Sequence, residues 1–271
     1  MQYDPIKKSL GKVFNLNPAL RILFYKLLDI LLLRTWHVKK EFRKWEARKG
    51  DDISILDAGS GFGQYSYFMA SRNRNWKVKA VDVKADQIED CRNFFKKIRY
   101  HHVDFEEADL TTFVNPDTYD FVLSVDVMEH ILEDVKVFEN FYKSMKKGGM
   151  VLISTPSDKG GSDVHDHDGE ENSFIDEHVR DGYNIEEIQE KLKKAGFPRT
   201  AAKYQYGPPG RISWKLSMKY PMSMLNSSKL FFILLPFYYL ITYPFAIILN
   251  ILDVSGNHRT GTGLIVKAWK E

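Results

Sequence analysis

Cysteine is almost absent from this chain of 271 residues: Cys91 stands alone, so no internal disulfide can staple the fold and a reducing compartment is expected. An excess of one charge is missing too. Thirty-nine Lys and Arg face 36 Asp and Glu, a formal net of +3, which excludes a globally basic nucleic-acid binder and leaves electrostatics to local patches. The chain has no internal repeat and no low-complexity tract. Its first residues, Met1-Gln-Tyr-Asp-Pro-Ile-Lys-Lys, lack the basic and apolar regions of a secretory signal, so a cytoplasmic protein is expected. What the chain does have is apolar material, 44% of its residues, ample for a buried core. The expected organisation is an N-terminal amphipathic helical cap over 1–49 and one main domain over 50–271. Within that domain, 207–260 forms an apolar helical insert between the last two strands.

Residues 16–33 place Leu20, Leu23, Phe24, Leu27, Leu28 and Leu31 at helical spacing, with Arg21, Lys26 and Asp29 on the other face. Residues 34–49 then hold seven Lys or Arg against two Glu. From Gly50 onward, strand and helix patterns alternate, which argues for a parallel sheet covered on both faces. Strands are predicted at Ile53–Asp57, Lys77–Asp82, His101–Phe105, Tyr119–Val125, Met150–Thr155, Thr200–Tyr206 and Gly263–Trp269. Helices are predicted at Gln64–Ser71, Ala85–Lys97, Val127–Lys146 and Asn184–Ala195, the last opened by a capping box of Asn184 and Glu187.

The sharpest motif is Asp57-Ala-Gly59-Ser-Gly61-Phe-Gly63, directly between a strand and a helix. Glycines there let the backbone turn tightly and approach a ligand at a helix N-terminus. A dinucleotide fingerprint needs G-x-G-x-x-G, whereas position 64 is Gln. An acid just before the first glycine also suits a cationic ligand better than a pyrophosphate: Asp57 can attract the α-amino group of a bound amino acid. Asp82, ending the second strand, is placed for both hydroxyls of a ribose. Asp109, past the third strand, is placed for an adenine amine, with Leu110 as a backbone contact.

On Ile55–Gly63, Ala80-Val-Asp82, Ala108-Asp-Leu, Tyr119–Ile131 and Gly148–Pro156, the chain resembles the class I S-adenosylmethionine (SAM) methyltransferases, the group that includes the quinone-biosynthesis O- and C-methyltransferases. The resemblance covers about residues 50–206 and 261–269. It implies a Rossmann-like α/β fold, a seven-stranded mostly parallel sheet whose last strand enters antiparallel beside strand six. It also implies SAM as cofactor, held by Asp57, Gly59, Gly61, Gly63, Asp82, Val83, Asp109, Leu110 and Val125, and methyl transfer by in-line attack on the sulfonium methyl.

Such a transfer needs alignment, plus a base when the acceptor is a hydroxyl or an acidic carbon. His130 and His178 are the catalytic candidates. Asp126, Glu129 and His130 form an acid-x-x-Glu-His segment that is associated with a divalent metal in the quinone O-methyltransferase branch. The favoured reading here has no metal: Asp126 caps a helix and Glu129-His130 orients the chain near the cofactor. The acidic loop between Lys159 and Arg180 holds His165, His167 and His178. It walls the acceptor pocket in this fold, and His178 serves there either as a base or as a structural tether.

Leu230–Leu252 is 23 uncharged residues, interrupted by Pro236, Thr242, Pro244 and Asn250. Its length suits a membrane span, but if the last strand returns to the sheet a single crossing is topologically excluded. The segment therefore folds back, lies in the interface or packs on protein, with Pro236 and Pro244 as natural breaks. Arg211, Lys215, Lys219 and Lys229 make its flank basic, which favours peripheral contact with the inner membrane face. The expected activity is methylation of a hydrophobic, lipid-like or isoprenoid acceptor there. The alternatives are a soluble methyltransferase of a small secondary metabolite with the insert as lid, and a non-catalytic SAM-binding membrane adaptor. Nucleic acid is not an expected partner: strand four ends Ser124-Val-Asp126, without the Asn/Asp-Pro-Pro-Tyr segment of amino-group enzymes.

Overall fold

Strands buried on both faces read as nearly continuous apolar runs, and Tyr119–Val125 and Met150–Thr155 are such runs. They form the middle of the sheet. The computed structural model describes residues 17–47, 49–160, 179–228 and 230–271. Its strands are β1 (Ser54–Ala58), β2 (Lys77–Asp82), β3 (Val103–Glu107), β4 (Tyr119–Val125), β5 (Met145–Pro156), β6 (Arg199–Gln205) and β7 (Gly263–Trp269). They make one seven-stranded sheet in the order β3-β2-β1-β4-β5-β7-β6. β7 is antiparallel to both β5 and β6, and the strands from β3 to β5 are parallel. This is the predicted Rossmann-like α/β architecture.

The helices are α1 (Pro18–Leu31), α2 (Leu33–Glu46), α3 (Gln64–Ala70), α4 (Ala85–Lys97), α5 (Asp134–Ser144), α6 (Ile185–Lys194), α7 (Pro208–Trp214), α8 (Tyr220–Ser227) and α9 (Phe231–Ser255). On one face of the sheet, Leu56, Val122, Val151 and Val266 pack with Val137, Phe138 and Phe141 of α5 and Ile188 and Leu192 of α6. On the other, Ile55, Phe121, Leu123 and Leu152 pack with Phe68 and Met69 of α3 and with Val38, Phe42 and Trp45 of α2. Phe42 meets Phe121 edge-on, ring centroids 5.1 Å apart, so α2 is part of the sheet's core.

Several predicted elements differ. The helix expected at Val127–Lys146 is a short 3₁₀ turn, Met128–His130, followed by α5. The chain turns because Asp134, in the first turn of α5, is buried and gathers Arg180, the Tyr183 hydroxyl (2.8 Å) and Lys191 (2.8 Å). A carboxylate there also suits the helix dipole. β5 starts at Met145, earlier than periodicity suggests, because Tyr119 pairs with Met145 before the register shifts to Phe121 with Met150. β3 begins two residues later than predicted.

The insert is a helical hairpin. α7, a π-helical turn at Lys215–Lys219 and α8 lead away from β6, and α9 returns to β7. Ser213 Oγ donates to Asn250 Oδ1 (2.6 Å), while the Tyr238 and Tyr239 hydroxyls donate to the Leu216 and Ser217 carbonyls (2.8 Å each). Those carbonyls lie in the π turn, where the regular helical ladder is interrupted. Pro236 and Pro244 do not break α9: the helix runs unbroken through 25 residues. Each proline removes one backbone bond, and the packing of α9 along α7 outweighs that loss.

Candidate functional site

The carboxyl ends of β1, β2 and β4 converge where ligands bind in such sheets. Gly59, Gly61 and Gly63 take φ of +84°, +50° and +74°, which l-residues with side chains rarely adopt. At Gly59 the need is steric as well: an added Cβ would stand 2.2 Å from Val127 Cγ2. The turn is fastened by Gly59 and Ser60 N–H groups donating to the Val81 carbonyl (2.9 Å each). It is also held by Gly61 N–H donating to Asp82 Oδ2 (2.9 Å).

Asp57 ends up wholly buried at the end of β1, where it accepts from the Ser66 hydroxyl. Burial pushes its carboxyl up to about 7; the Ser66 hydrogen bond opposes the rise and the neighbouring Asp82 charge adds to it. A carboxylate with so little solvation is poised for a cation. Asp82 also accepts from Lys84 N–H (3.0 Å), and Val83 beside it is 61% exposed. Asp109 is exposed and accepts from Thr111 N–H (2.8 Å), while Leu110 is buried and its carbonyl takes the Asn140 side-chain amide (2.9 Å). Val125 is half-buried at the end of β4. The structure thus gathers the predicted cofactor residues along neighbouring strand ends.

The Asp126-Glu129-His130 segment is arranged differently. Asp126 sits at φ +52° and caps no helix; it pairs with Arg34 of α2. Its Oδ1 is buried without a partner among the described residues. Glu129 is buried and accepts from Thr155 Oγ1 (3.0 Å), whereas His130 is exposed. Among the described residues no group of three His, Cys, Asp or Glu side chains is arranged to hold a metal ion. His165, His167 and His178 lie outside the described residues.

Sequence reasoning missed the residues that approach from the helices. The Tyr206 hydroxyl accepts from Arg34 N–H (3.0 Å), and the Thr35 and Tyr65 hydroxyls lie 3.3 Å apart, so Arg34, Tyr65 and Tyr206 gather beside Asp126. Nothing in the sequence pairs residues so far apart. Part of the basic run at 34–49 is structural: Lys39 pairs with Asp29, Lys40 with the Val254 carbonyl (2.6 Å) and Lys44 with Glu41 (2.8 Å). A second buried node ties the insert to the core. His37 Nε2 stands 2.8 Å from Asp253 Oδ1, and Asp253 also accepts from Gly210 N–H (3.0 Å), Tyr206 N–H (3.2 Å) and His258 (3.2 Å). Burial lowers His37, although Asp253 opposes this. Burial alone would raise Asp253, but its hydrogen bonds hold it below the usual carboxylate range.

A family described as "Methyltransferase domain" matches residues 49–204, more than half of the chain. The chain belongs to that methyltransferase family. The phosphoethanolamine N-methyltransferase of Triticum aestivum is 31% identical over 144 residues, 53% of this chain and 27% of that protein. The ubiquinone biosynthesis O-methyltransferase of Rickettsia akari (strain Hartford) is 31% identical over 107 residues, 38% of this chain and 40% of that protein. The chain therefore spans well under half the length of these curated relatives. Among solved structures, Haemonchus contortus phosphoethanolamine N-methyltransferase 2, in complex with phosphomonomethylethanolamine and S-adenosylhomocysteine, shares its fold. The TM-score is 0.59 at 20% identity, covering 91% of this chain and 60% of that one.

SAM is the cofactor that this class I fold carries, and the chain's residues fit it. Among the described residues Asp57 is a buried acid without a paired cation and the Ser60 hydroxyl in the glycine turn is buried without a partner, while an added Cβ at Gly61 would meet only the Gln87 side chain, at 3.8 Å. Asp57 and Ser60 would meet the amino-acid end, Asp82 the ribose, and Asp109 with Leu110 the adenine. Bound SAM supplies an electrophilic methyl on a sulfonium. The chain would then have to orient the acceptor and exclude water, and Arg34, Tyr65 and Tyr206 gather beside Asp126, which follows β4.

Proposed function

We propose that this protein transfers the methyl group of SAM to a lipid-like or isoprenoid acceptor presented at a membrane surface, working in the cytoplasm as a peripheral protein of the inner membrane face. The observation that carries the reading is α9. Its most apolar stretch has a mean hydropathy of 2.0, yet only 6% of it is buried. Leu240, Ile233, Ile241 and Phe237 are each more than 60% exposed. A monomeric surface rarely tolerates a contiguous apolar patch of this kind without a partner. Because α9 is tied back to the core through Asn250 and Asp253, the acceptor crevice stays close to that apolar face. The N- and O-methyltransferase names of its relatives support transfer to a polar group on the acceptor's head.

A second reading, a small soluble acceptor, draws on the polar crevice of Arg34, Asp126 and Tyr206. Incubation with methyl-labelled SAM and a total lipid extract separates the two, with Asp82→Ala as control. Label in an organic-phase product, lost in the control, supports the lipid reading. Label confined to the aqueous phase replaces it with the soluble one. Robust SAM binding without any transfer sinks both and leaves a SAM-binding adaptor.

A further inference from the structure

α1 has its faces the opposite way round from an ordinary core helix. Leu20, Leu23, Leu27 and Ile30, spaced along one side, are 38–49% exposed, whereas Arg21 is buried at 3% and Tyr25 at 1%. The buried face clamps the glycine turn at Phe62, the residue between Gly61 and Gly63. Arg21 donates to the Phe62 carbonyl (2.9 Å), and so does the Tyr25 hydroxyl. Arg21 also pairs with Asp90 (2.7 Å) and donates to Cys91 Sγ (3.2 Å). Gln64, which opens α3 directly after the turn, donates to Asp29 of α1 (2.8 Å). α1 joins α2 through a single extended residue, Leu32.

The outer face of α1 meets α9 at its last turn, where the Tyr243 hydroxyl donates to the Ile30 carbonyl (2.7 Å). The sequence of the insert carries one sign of charge. Residues 207–252 include Arg211, Lys215, Lys219 and Lys229 and no Asp or Glu, and Lys26 is exposed on α1. Apolar surface flanked by cations is complementary to an anionic lipid leaflet.

We infer that α1 and α9 form one in-plane docking face for an anionic leaflet, and that docking tightens the glycine turn on its cofactor. The inference rests on the membrane reading above. In the arrangement described, the apolar residues of α1 face outward while its polar face holds Phe62, so the leaflet binds the clamped state. A ligand that prefers one state shifts the population toward it. Two ligands that prefer the same state strengthen each other by the same factor. Lipid therefore slows cofactor release, and cofactor strengthens lipid binding.

The test measures release of radiolabelled S-adenosylhomocysteine from the full chain, alone and with vesicles of phosphatidylcholine containing phosphatidylglycerol. Release is expected to slow about tenfold on the vesicles, within the usual range of coupling between sites. Leu23→Gln with Leu27→Gln keeps the vesicle-free affinity and loses the slowing, because α1 no longer docks while α9 still does. Vesicle binding with an unchanged release rate overturns the coupling but leaves the membrane reading standing. No vesicle binding at all overturns both. Equal binding to pure phosphatidylcholine removes the anionic component. Loss of vesicle-free affinity in the double variant shows that this face serves folding, and also overturns the inference.

Discussion

Lowering the pH from 7 to 5 is expected to strip SAM from the protein through one carboxyl group. Asp57 is wholly buried at the end of β1, and burial raises it to about 7 before any ligand arrives. The ammonium of a bound amino acid requires the ionised form. Below pH 7 the free protein must first release a proton, so binding weakens as the pH falls. By linkage, the dissociation constant rises about fivefold from pH 7 to 6 and about ninefold more from 6 to 5. At pH 6 roughly 0.9 proton leaves with each ligand bound. Isothermal titration in buffers of different ionisation enthalpy reads both numbers directly. The folding linkage carries the opposite sign: with the folded value raised, the free protein's stability from this group falls as pH climbs from the ordinary Asp range to about 7. Asp57→Asn should flatten both profiles. A wild-type affinity independent of pH between 5 and 7, with no proton released, would refute the placement of Asp57 against the ligand's cation.

Gly59→Ala meets a positive φ and a Cβ only 2.2 Å from Val127 Cγ2, so it costs about 1–2 kcal/mol in backbone strain alone. SAM binding is expected to fall at least as far as that strain dictates, while circular dichroism stays native; unchanged binding by filter retention would remove the turn from the site. Asp253→Ala leaves His37 and the Gly210 and Tyr206 amides buried without their acceptor, a loss of about 1–3 kcal/mol for each group left unsatisfied. Its melting temperature should drop on the order of 10 °C in differential scanning calorimetry; a native value would mean the node contributes nothing. In the wild type, His37 is lowered by burial and therefore neutral, and Asp253 is held below the usual carboxylate range. His37 contributes stability above the ordinary histidine value that is lost as pH falls, and Asp253 adds its own loss only below the ordinary Asp value of about 4, so the melting temperature should start to decline below about pH 6.5. That decline should persist and reach lower pH in Asp253→Ala, because Asp253 is what opposes the lowering of His37.

The parts of this protein written locally were legible. β7 falls at Gly263–Trp269 as its alternation predicts, and Asn184 accepts from Glu187 N–H as its capping position requires. The glycine turn and the acids at the ends of β1 and β2 follow from residues a few positions apart. What the sequence hid depends on contacts across long separations. Arg34 looked like one charge in a basic run until the fold set it against Asp126, and His37 meets Asp253 across 216 residues. α1 was legible as amphipathic, but only its clamp on Phe62 shows which face turns inward. The unbroken course of α9 past two prolines was equally hidden, because its support comes from α7.

The position of β7 has a consequence for how the chain is built. β6 has one strand neighbour, and that neighbour is β7, which also fills the gap beside β5. During synthesis the helical hairpin is complete before β7 exists, so β6 has nothing to pair with while α9 already displays its apolar side. A nascent chain thus carries two unsatisfied surfaces at once, a sheet edge and a greasy helix. Early capture of the hairpin at a membrane, or by a chaperone that holds apolar helices, would leave the sheet edge alone to await its final strand.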